Sequence, residues 1–174
     1  SMTVANCTIV GNHSDASCGG MLNQAETDVR NVIFADNTAT SGAGAICGVY
    51  VEISNSAFWN NSLPNWNLRD PIGTDGNVAM APSFLDSTSA DLMEWDYHLS
   101  ATSTLINIGD ATLFDPDGST SDIGAYGGPG AGGFDLDSDG WDEWWQPGDY
   151  APSYVVGGWD CNDDDHRTTP LSGC

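Results

Sequence analysis

Val4-Ala5-Asn6-Cys7-Thr8-Ile9-Val10-Gly11-Asn12, Val29-Arg30-Asn31-Val32-Ile33-Phe34-Ala35-Asp36-Asn37 and Ile53-Ser54-Asn55-Ser56-Ala57-Phe58-Trp59-Asn60-Asn61 are three versions of one phrase. Their offsets are 25 and 24 residues. Each version opens on an apolar residue, places Asn two later, Ile or Phe three after that, and Asn three later again. Between the phrases Gly20-Met21-Leu22 aligns with Gly44-Ala45-Ile46 at offset 24, so the second half of the unit repeats as well. A period near 24, rich in β-branched residues, Gly and Asn, suits one coil of a parallel β-helix. Stacking sets like on like, because one coil cannot bury its own apolar face. Ile9, Phe34 and Phe58 form one expected internal column. Cys7, Val32 and Ser56 form a second, and Val4, Val29 and Ile53 a third. Asn6, Asn31 and Asn55 are expected to form a turn ladder, each amide bonding to the next coil. A β-sandwich with coincidental spacing is the alternative. A leucine-rich repeat shares the period but lacks its Leu-x-x-Leu-x-Leu core here.

Composition narrows the function classes. The chain has 174 residues, 25 acids against 3 arginines, no lysine and a formal net charge of −22. Phosphate neutralisation needs Lys and Arg, so nucleic-acid binding through basic patches is excluded. Docking on anionic lipid is disfavoured for the same reason, and no stretch is long and apolar enough for membrane insertion. Ser1-Met2 reads as an expression remnant, with any export signal removed. The first coil begins mid-repeat. That predicts a piece of a longer solenoid, or self-association of the open end with another chain. Five Cys suggest an oxidising compartment. Cys161 and Cys174 are expected to close a C-terminal disulfide. Cys18 and Cys47 either pair, leaving Cys7 free and buried, or remain buried thiols.

The repeat decays after residue 63. Later segments run Gly76-Asn77-Val78-Ala79-Met80-Ala81-Pro82-Ser83-Phe84-Leu85-Asp86, then Asp96-Tyr97-His98-Leu99 leading to Leu105-Ile106-Asn107-Ile108-Gly109-Asp110, then Asp122-Ile123-Gly124-Ala125-Tyr126. As a set these motifs closely resemble the C-terminal end of secreted bacterial right-handed parallel β-helix proteins, the pectate-lyase-like superfamily. The resemblance covers residues 1 to about 128. It implies an all-β fold, a right-handed parallel β-helix of about three coils plus an irregular C-terminal cap, and a secreted or cell-surface life. It implies no activity. From the residues themselves, Leu105, Ile106, Ile108 and Ile123 read as short buried strands, and Asp75-Gly76 and Asp117-Gly118 as turns. The segment is expected to cover the exposed end of the solenoid.

The chain thus divides into a β-helix with cap (1–128), a Gly-rich joint (129–134) and an Asp-rich module (135–174). Asp135, Asp137 and Asp139 alternate before Gly140, the opening half of a calcium loop, and position seven offers the backbone carbonyl of Trp141. A complete helix-loop-helix site needs Glu at position twelve, where this chain has Gln146. The missing oxygens are expected from Asp160, Asn162, Asp163 and Asp165. The tail resembles a metal-binding repeat of bacterial surface proteins and is similar to the calcium loops of thrombospondin type 3 repeats. An all-oxygen ligand set favours calcium over copper or zinc, and with few apolar residues its binding energy becomes folding energy.

The expected role is a non-enzymatic, calcium-stabilised structural or adhesive module, secreted or at a bacterial cell surface. Recognition of glycan or another surface ligand would be its working part. Trp144 and Trp145 are candidates for stacking on sugar rings; the competing reading places them in the small core of the calcium module. No catalytic residue is assigned. Asp28, Asp36, Asp70 and Asp75 look scattered, and only Arg30 and Arg69 lie in the solenoid. The alternative is a fragment of a polysaccharide lyase or glycoside hydrolase of β-helix fold.

Overall fold

The computed structural model describes residues 1–92 and 95–131. These residues form strands, bends and turns, with no α-helix among them, so the all-β expectation holds. Strand β1 (Met2–Val10) pairs in parallel with β4 (Thr27–Ala35), which pairs in parallel with β7 (Val51–Ser54) and β8 (Ala57–Trp59). Two short parallel ladders accompany them. One joins β2 (His13–Ser14) to β5 (Thr38–Ala39), the other β3 (Met21–Leu22) to β6 (Ile46–Cys47). The three copies of the sequence phrase therefore lie side by side at their repeat offsets.

Register decides what is buried, since a slip of one residue exchanges the faces of a strand. Val4 pairs with Val29 and Val29 with Ile53; Ile9 pairs with Phe34 and Phe34 with Phe58. The Phe34 and Phe58 rings stack with centroids 5.2 Å apart and planes 10° from parallel. Val29, Val32 and Phe34 are sealed, and Val4, Cys7 and Ile9 pack on the same cluster from the edge. Trp59, one residue past Phe58, is exposed, as alternation requires.

Three expectations need correction. The second half of the unit pairs at offset 25, not 24. Met21 meets Ile46 and Leu22 meets Cys47, so Gly20 lies beside Ala45, not Gly44. A Cβ on Gly19 would stand 2.4 Å from the Gly44 carbonyl oxygen, and one on Gly44 2.3 Å from the Ser62 carbonyl oxygen, which is why each position lacks a side chain. Cys18 and Cys47 form a disulfide across these two repeats, with Cα atoms 5.8 Å apart, and Cys7 is free but only partly buried.

The second correction concerns the asparagines. Asn6, Asn31 and Asn55 do not bond to one another. All three have positive φ, at 50°, 53° and 45°, a conformation Asn tolerates better than most residues. Their amides turn outward, away from the column. The ladder runs instead through Asn12, Asn37 and Asn61. The Asn37 Oδ1 accepts from the Asn12 N–H and Nδ2, both at 3.0 Å, and the Asn61 Oδ1 accepts from the Asn37 N–H at 3.0 Å and Nδ2 at 3.1 Å. The residues just before them, Gly11, Asp36 and Asn60, are again left-handed, at 67°, 55° and 49°. Each unit thus has two left-handed corners, and the second aims the ladder amide inward.

The third correction concerns the cap. Residues 64–78 continue the stack past the third repeat: Ile46 bridges to Trp66 and Ala57 to Val78, both parallel. Trp66 is buried in the main core, its Nε1 donating to the Gly48 carbonyl at 3.1 Å. The later segment does not sit on that end. It lies across the outer face of the main sheet, where Ile33, Ala35 and Ala57 form a second core with Leu99, Leu105 and Ile123. Leu105 and Ile123 are sealed, yet they sit in turns and bends, not strands, and Ile108 is exposed. Asp75-Gly76 and Asp117-Gly118 are turns as expected. A short antiparallel pair, β9 (Phe84–Asp86) with β10 (Asp96–Leu99), flanks this cover.

The cover is fixed at the outward asparagines. The Asn31 Nδ2 donates to Ser121 Oγ at 3.0 Å and its Oδ1 accepts from the Asp110 N–H at 2.7 Å. The Asn55 Nδ2 donates to the Gly109 carbonyl at 3.3 Å, and the Asn6 Nδ2 to that of Gly127. One equivalent amide per repeat therefore holds a segment that does not repeat.

Candidate functional site

Outward residues of β4 and β7 build a groove of about 360 Å³, lined by Asp28, Glu52, Ile53, Ser54, Arg69 and Asp75. Asp28 and Glu52 are direct cross-strand partners, and neighbouring strands lie about 4.8 Å apart. Two carboxylates are thus held side by side, which alone is unfavourable. Arg30, two residues along the same face, offsets this. Its Nε is 3.8 Å from Asp28 Oδ2 and its Nη1 3.5 Å from Asp110 Oδ2 of the cover. The Thr112 N–H (2.9 Å) and hydroxyl (2.7 Å) hold the Asp110 carboxyl below its ordinary value, with Arg30 adding to the effect. The Arg30 Nε is cut off from solvent and makes no hydrogen bond among the described residues. An unsatisfied buried donor of this kind costs about 1–3 kcal/mol.

At the far side Arg69 stands 5.1 Å over the Trp66 ring and 4.0 Å from Asp75 Oδ2. Arg30 and Arg69 are the only Lys or Arg residues before position 132; Arg69 lines this groove, and Arg30 reaches it through Asp28. A second depression, of about 510 Å³, adjoins it and adds Glu26, Val49 and the exposed ring of Tyr50. The strip offers carboxylate acceptors, guanidinium donors and one aromatic face. That set suits hydroxyl-rich ligands, whose donors and acceptors alternate at short range.

The sequence expectations missed this groove, although a signal existed. Asp28 and Glu52 are separated by 24 residues, the repeat offset itself, so the period places them together. The arrival of Asp110 had no such signal, because it comes from outside the repeat. Asp36 and Asp70 do not line the groove.

Every metal residue named from the sequence (Asp135, Asp137, Asp139, Trp141, Asp160, Asn162, Asp163 and Asp165) lies outside the described residues. So do Cys161, Cys174, Trp144 and Trp145. Among the described residues no group of three or more His, Cys, Asp or Glu side chains is arranged to hold a metal ion, and no helix is long and apolar enough to cross a membrane. No protein-family model, curated protein or solved structure matches the chain.

Proposed function

We propose that this chain is a right-handed parallel β-helix stack of the pectate-lyase-like kind, followed by a calcium-stapled tail. It serves as a secreted or cell-surface structural and adhesive module of a bacterium. The observation that carries this reading is the in-register column of repeats, with Phe on Phe and Asn on Asn. Such a column gives a rigid platform whose outward positions are free to vary. The Cys18–Cys47 disulfide supports an oxidising compartment. Glycan is the ligand class that best fits the strip of Asp28, Glu52, Asp75, Arg30, Arg69 and Tyr50, with Trp144 and Trp145 as further stacking candidates.

One observation favours the second reading, a polysaccharide lyase or glycoside hydrolase fragment. Asp28 and Glu52 sit on adjacent strands in a groove, and paired carboxylates about 5 Å apart are a retaining glycosidase arrangement. Incubation with pectin, alginate and neutral polysaccharide panels separates the two. The adhesive module retains polysaccharide on a column and releases no product; product that disappears in Glu52→Gln establishes the enzyme. Retention of none of them removes the glycan reading.

The calcium tail has its own test. Excess chelator is expected to red-shift tryptophan fluorescence while the far-ultraviolet β signal persists, because the apolar columns of residues 1–78 need no ion. An unchanged spectrum, with no metal found by elemental analysis, sinks the tail assignment.

A further inference from the structure

We propose that the groove on β4 and β7 takes a glycan built of amino sugars, a chain that carries ammonium groups, in preference to neutral or uronate chains. This rests on the glycan reading above and narrows it to one charge class. Four carboxylates, those of Glu26, Asp28, Glu52 and Asp75, line the groove and the depression beside it, against the one guanidinium of Arg69. That guanidinium already faces a carboxylate, with Asp75 Oδ2 4.0 Å away, and lies over the Trp66 ring. Arg30 lines neither hollow. It is turned to Asp110 of the cover at 3.5 Å and to Asp28 at 3.8 Å. Among the described residues no ion pair reaches Glu26 or Glu52, so the strip keeps an excess of negative charge.

The excess is spread over successive layers. Asp28 and Glu52 are cross-strand partners in consecutive repeats. Asp75 belongs to the next layer, where its carbonyl accepts from the Asn55 N–H at 2.9 Å. Layers of a parallel stack are about 4.8 Å apart, close to the length of one sugar unit in an extended chain. A carboxylate in each layer therefore suits a ligand that repeats its charge along its length. A single metal ion needs the opposite arrangement, oxygens gathered round one point. Among the described residues no three His, Cys, Asp or Glu side chains are so gathered.

The apolar part of the strip selects a sugar chain from among cations. Val49 and Tyr50 line the adjoining depression and are both exposed, and an exposed aromatic ring offers a flat face to the C–H side of a sugar. Ser54 adds a hydroxyl to the groove. A uronate chain would bring further carboxylates to this strip, on a molecule of net charge −22. A neutral chain can accept and donate here but leaves the charge of Asp28 and Glu52 uncompensated. An ammonium group donates to both carboxylates and compensates them.

Titration calorimetry of the full chain tests this at about pH 5.5, where amines are protonated and Asp and Glu ionised. Chitosan and chitin oligosaccharides of equal length differ only in acetylation of the amine, so their ratio isolates the charge. One charge pair at about 4 Å in water is worth about fivefold, and we expect chitosan to bind at least that much more tightly than chitin, with oligogalacturonate weakest. In the double variant Asp28→Asn, Glu52→Gln the preference should fall below about twofold. Should that variant misfold, Glu52→Gln alone, at an exposed position, should still reduce it. Chitin or oligogalacturonate bound as tightly as chitosan overturns this inference and leaves the glycan reading standing. A preference undiminished in both variants places the ammonium elsewhere on the acidic molecule and overturns it too. Oligolysine that loses as much affinity as chitosan in the variants would make the ligand a basic peptide, again overturning it. Binding of no sugar removes the glycan reading and this inference together.

Discussion

The stack of repeats and the segment that covers it are stabilised in different ways, although both depend on asparagine. In the stack, each contact is a copy of the one beside it. Val29 lies between Val4 and Ile53, Phe34 between Ile9 and Phe58, Asn37 between Asn12 and Asn61. In the cover every contact is singular: Asp110 and Ser121 on Asn31, Gly109 on Asn55, Gly127 on Asn6, Ala125 on Thr8. Repetition makes a middle member doubly dependent, since its loss disturbs a neighbour on either side. Singular contacts instead tie the cover to individual hydrogen bonds and to the ionisation of a few carboxyls.

The largest effect is therefore expected in the middle of a column. Phe34 is fully sealed, and Phe34→Ala should cost roughly 3–5 kcal/mol, the usual range for truncating a buried aromatic. Trp59 is larger but exposed, so Trp59→Ala should cost well under half as much. Chemical denaturation of both variants measures the contrast. Equal losses, or a greater loss at Trp59, would mean that the register is shifted by one residue.

A smaller effect is expected at the polar column. Asn37→Ala removes the acceptor of the Asn12 N–H and the donor to the Ile9 carbonyl. Orphaned polar groups cost about 1–3 kcal/mol each; with some rehydration at the Asn12 edge we expect about 2–3 kcal/mol in all. Asn12→Ala should lose about 1 kcal/mol, because among the described residues Asn12 has a ladder neighbour on one side only. Denaturant midpoints that rank the two the other way would show that the ladder is not additive along the stack.

The same contrast explains what the sequence disclosed. The repeated phrase carried its own offsets, and with them the columns of Val, Phe and Val-Ser, because stacking in parallel demands a fixed period. The slip at Gly20 arose where the phrase is weakest: Gly, Ala and Met carry little pattern, and pairing there is set by Cys18 beside Ala43 and by the disulfide. Two sets of asparagines share the repeat offsets, so spacing alone could not tell which faces inward. The distinguishing sign was the trio Gly11, Asp36 and Asn60, all tolerant of a left-handed backbone, just ahead of the inward set. The Asp28–Glu52 pair was legible from its spacing. The path of residues 99–128 was not, because nothing in them repeats and their buried Leu105 and Ile123 lie on turns, where no periodicity marks a buried residue.

The cover supplies the smallest expected effect, and its sign is opposite to the usual one for a carboxyl. Asp122 is buried, and burial pushes its carboxyl up to about 6 from 3.8, with Asp115 and Asp117 adding negative charge nearby. Its hydrogen bond from the Asn107 N–H, at 2.7 Å, works against the rise. Asp115, which accepts from the Asp122 N–H at 3.0 Å, is also raised by burial. A folded state with raised pKa holds protons that the unfolded chain has released, so stability falls as pH rises between about 4 and 6. Asp110, held low, acts in the opposite direction and only below its ordinary 3.8. A rise of that size in Asp122 sets a ceiling near about 3 kcal/mol; with partial relaxation of the loop about 1 kcal/mol is expected. Asp122→Asn keeps an acceptor for Asn107 and removes the titration. It should therefore match the wild-type chain at pH 4 and exceed its stability at pH 7, flattening the slope between. Thermal denaturation at both pH values in chelator, which keeps calcium linkage in the tail out of the comparison, measures the difference. A wild-type chain that gains stability from pH 4 to 7, with the variant following it in parallel, would remove Asp122 from any part in holding the cover.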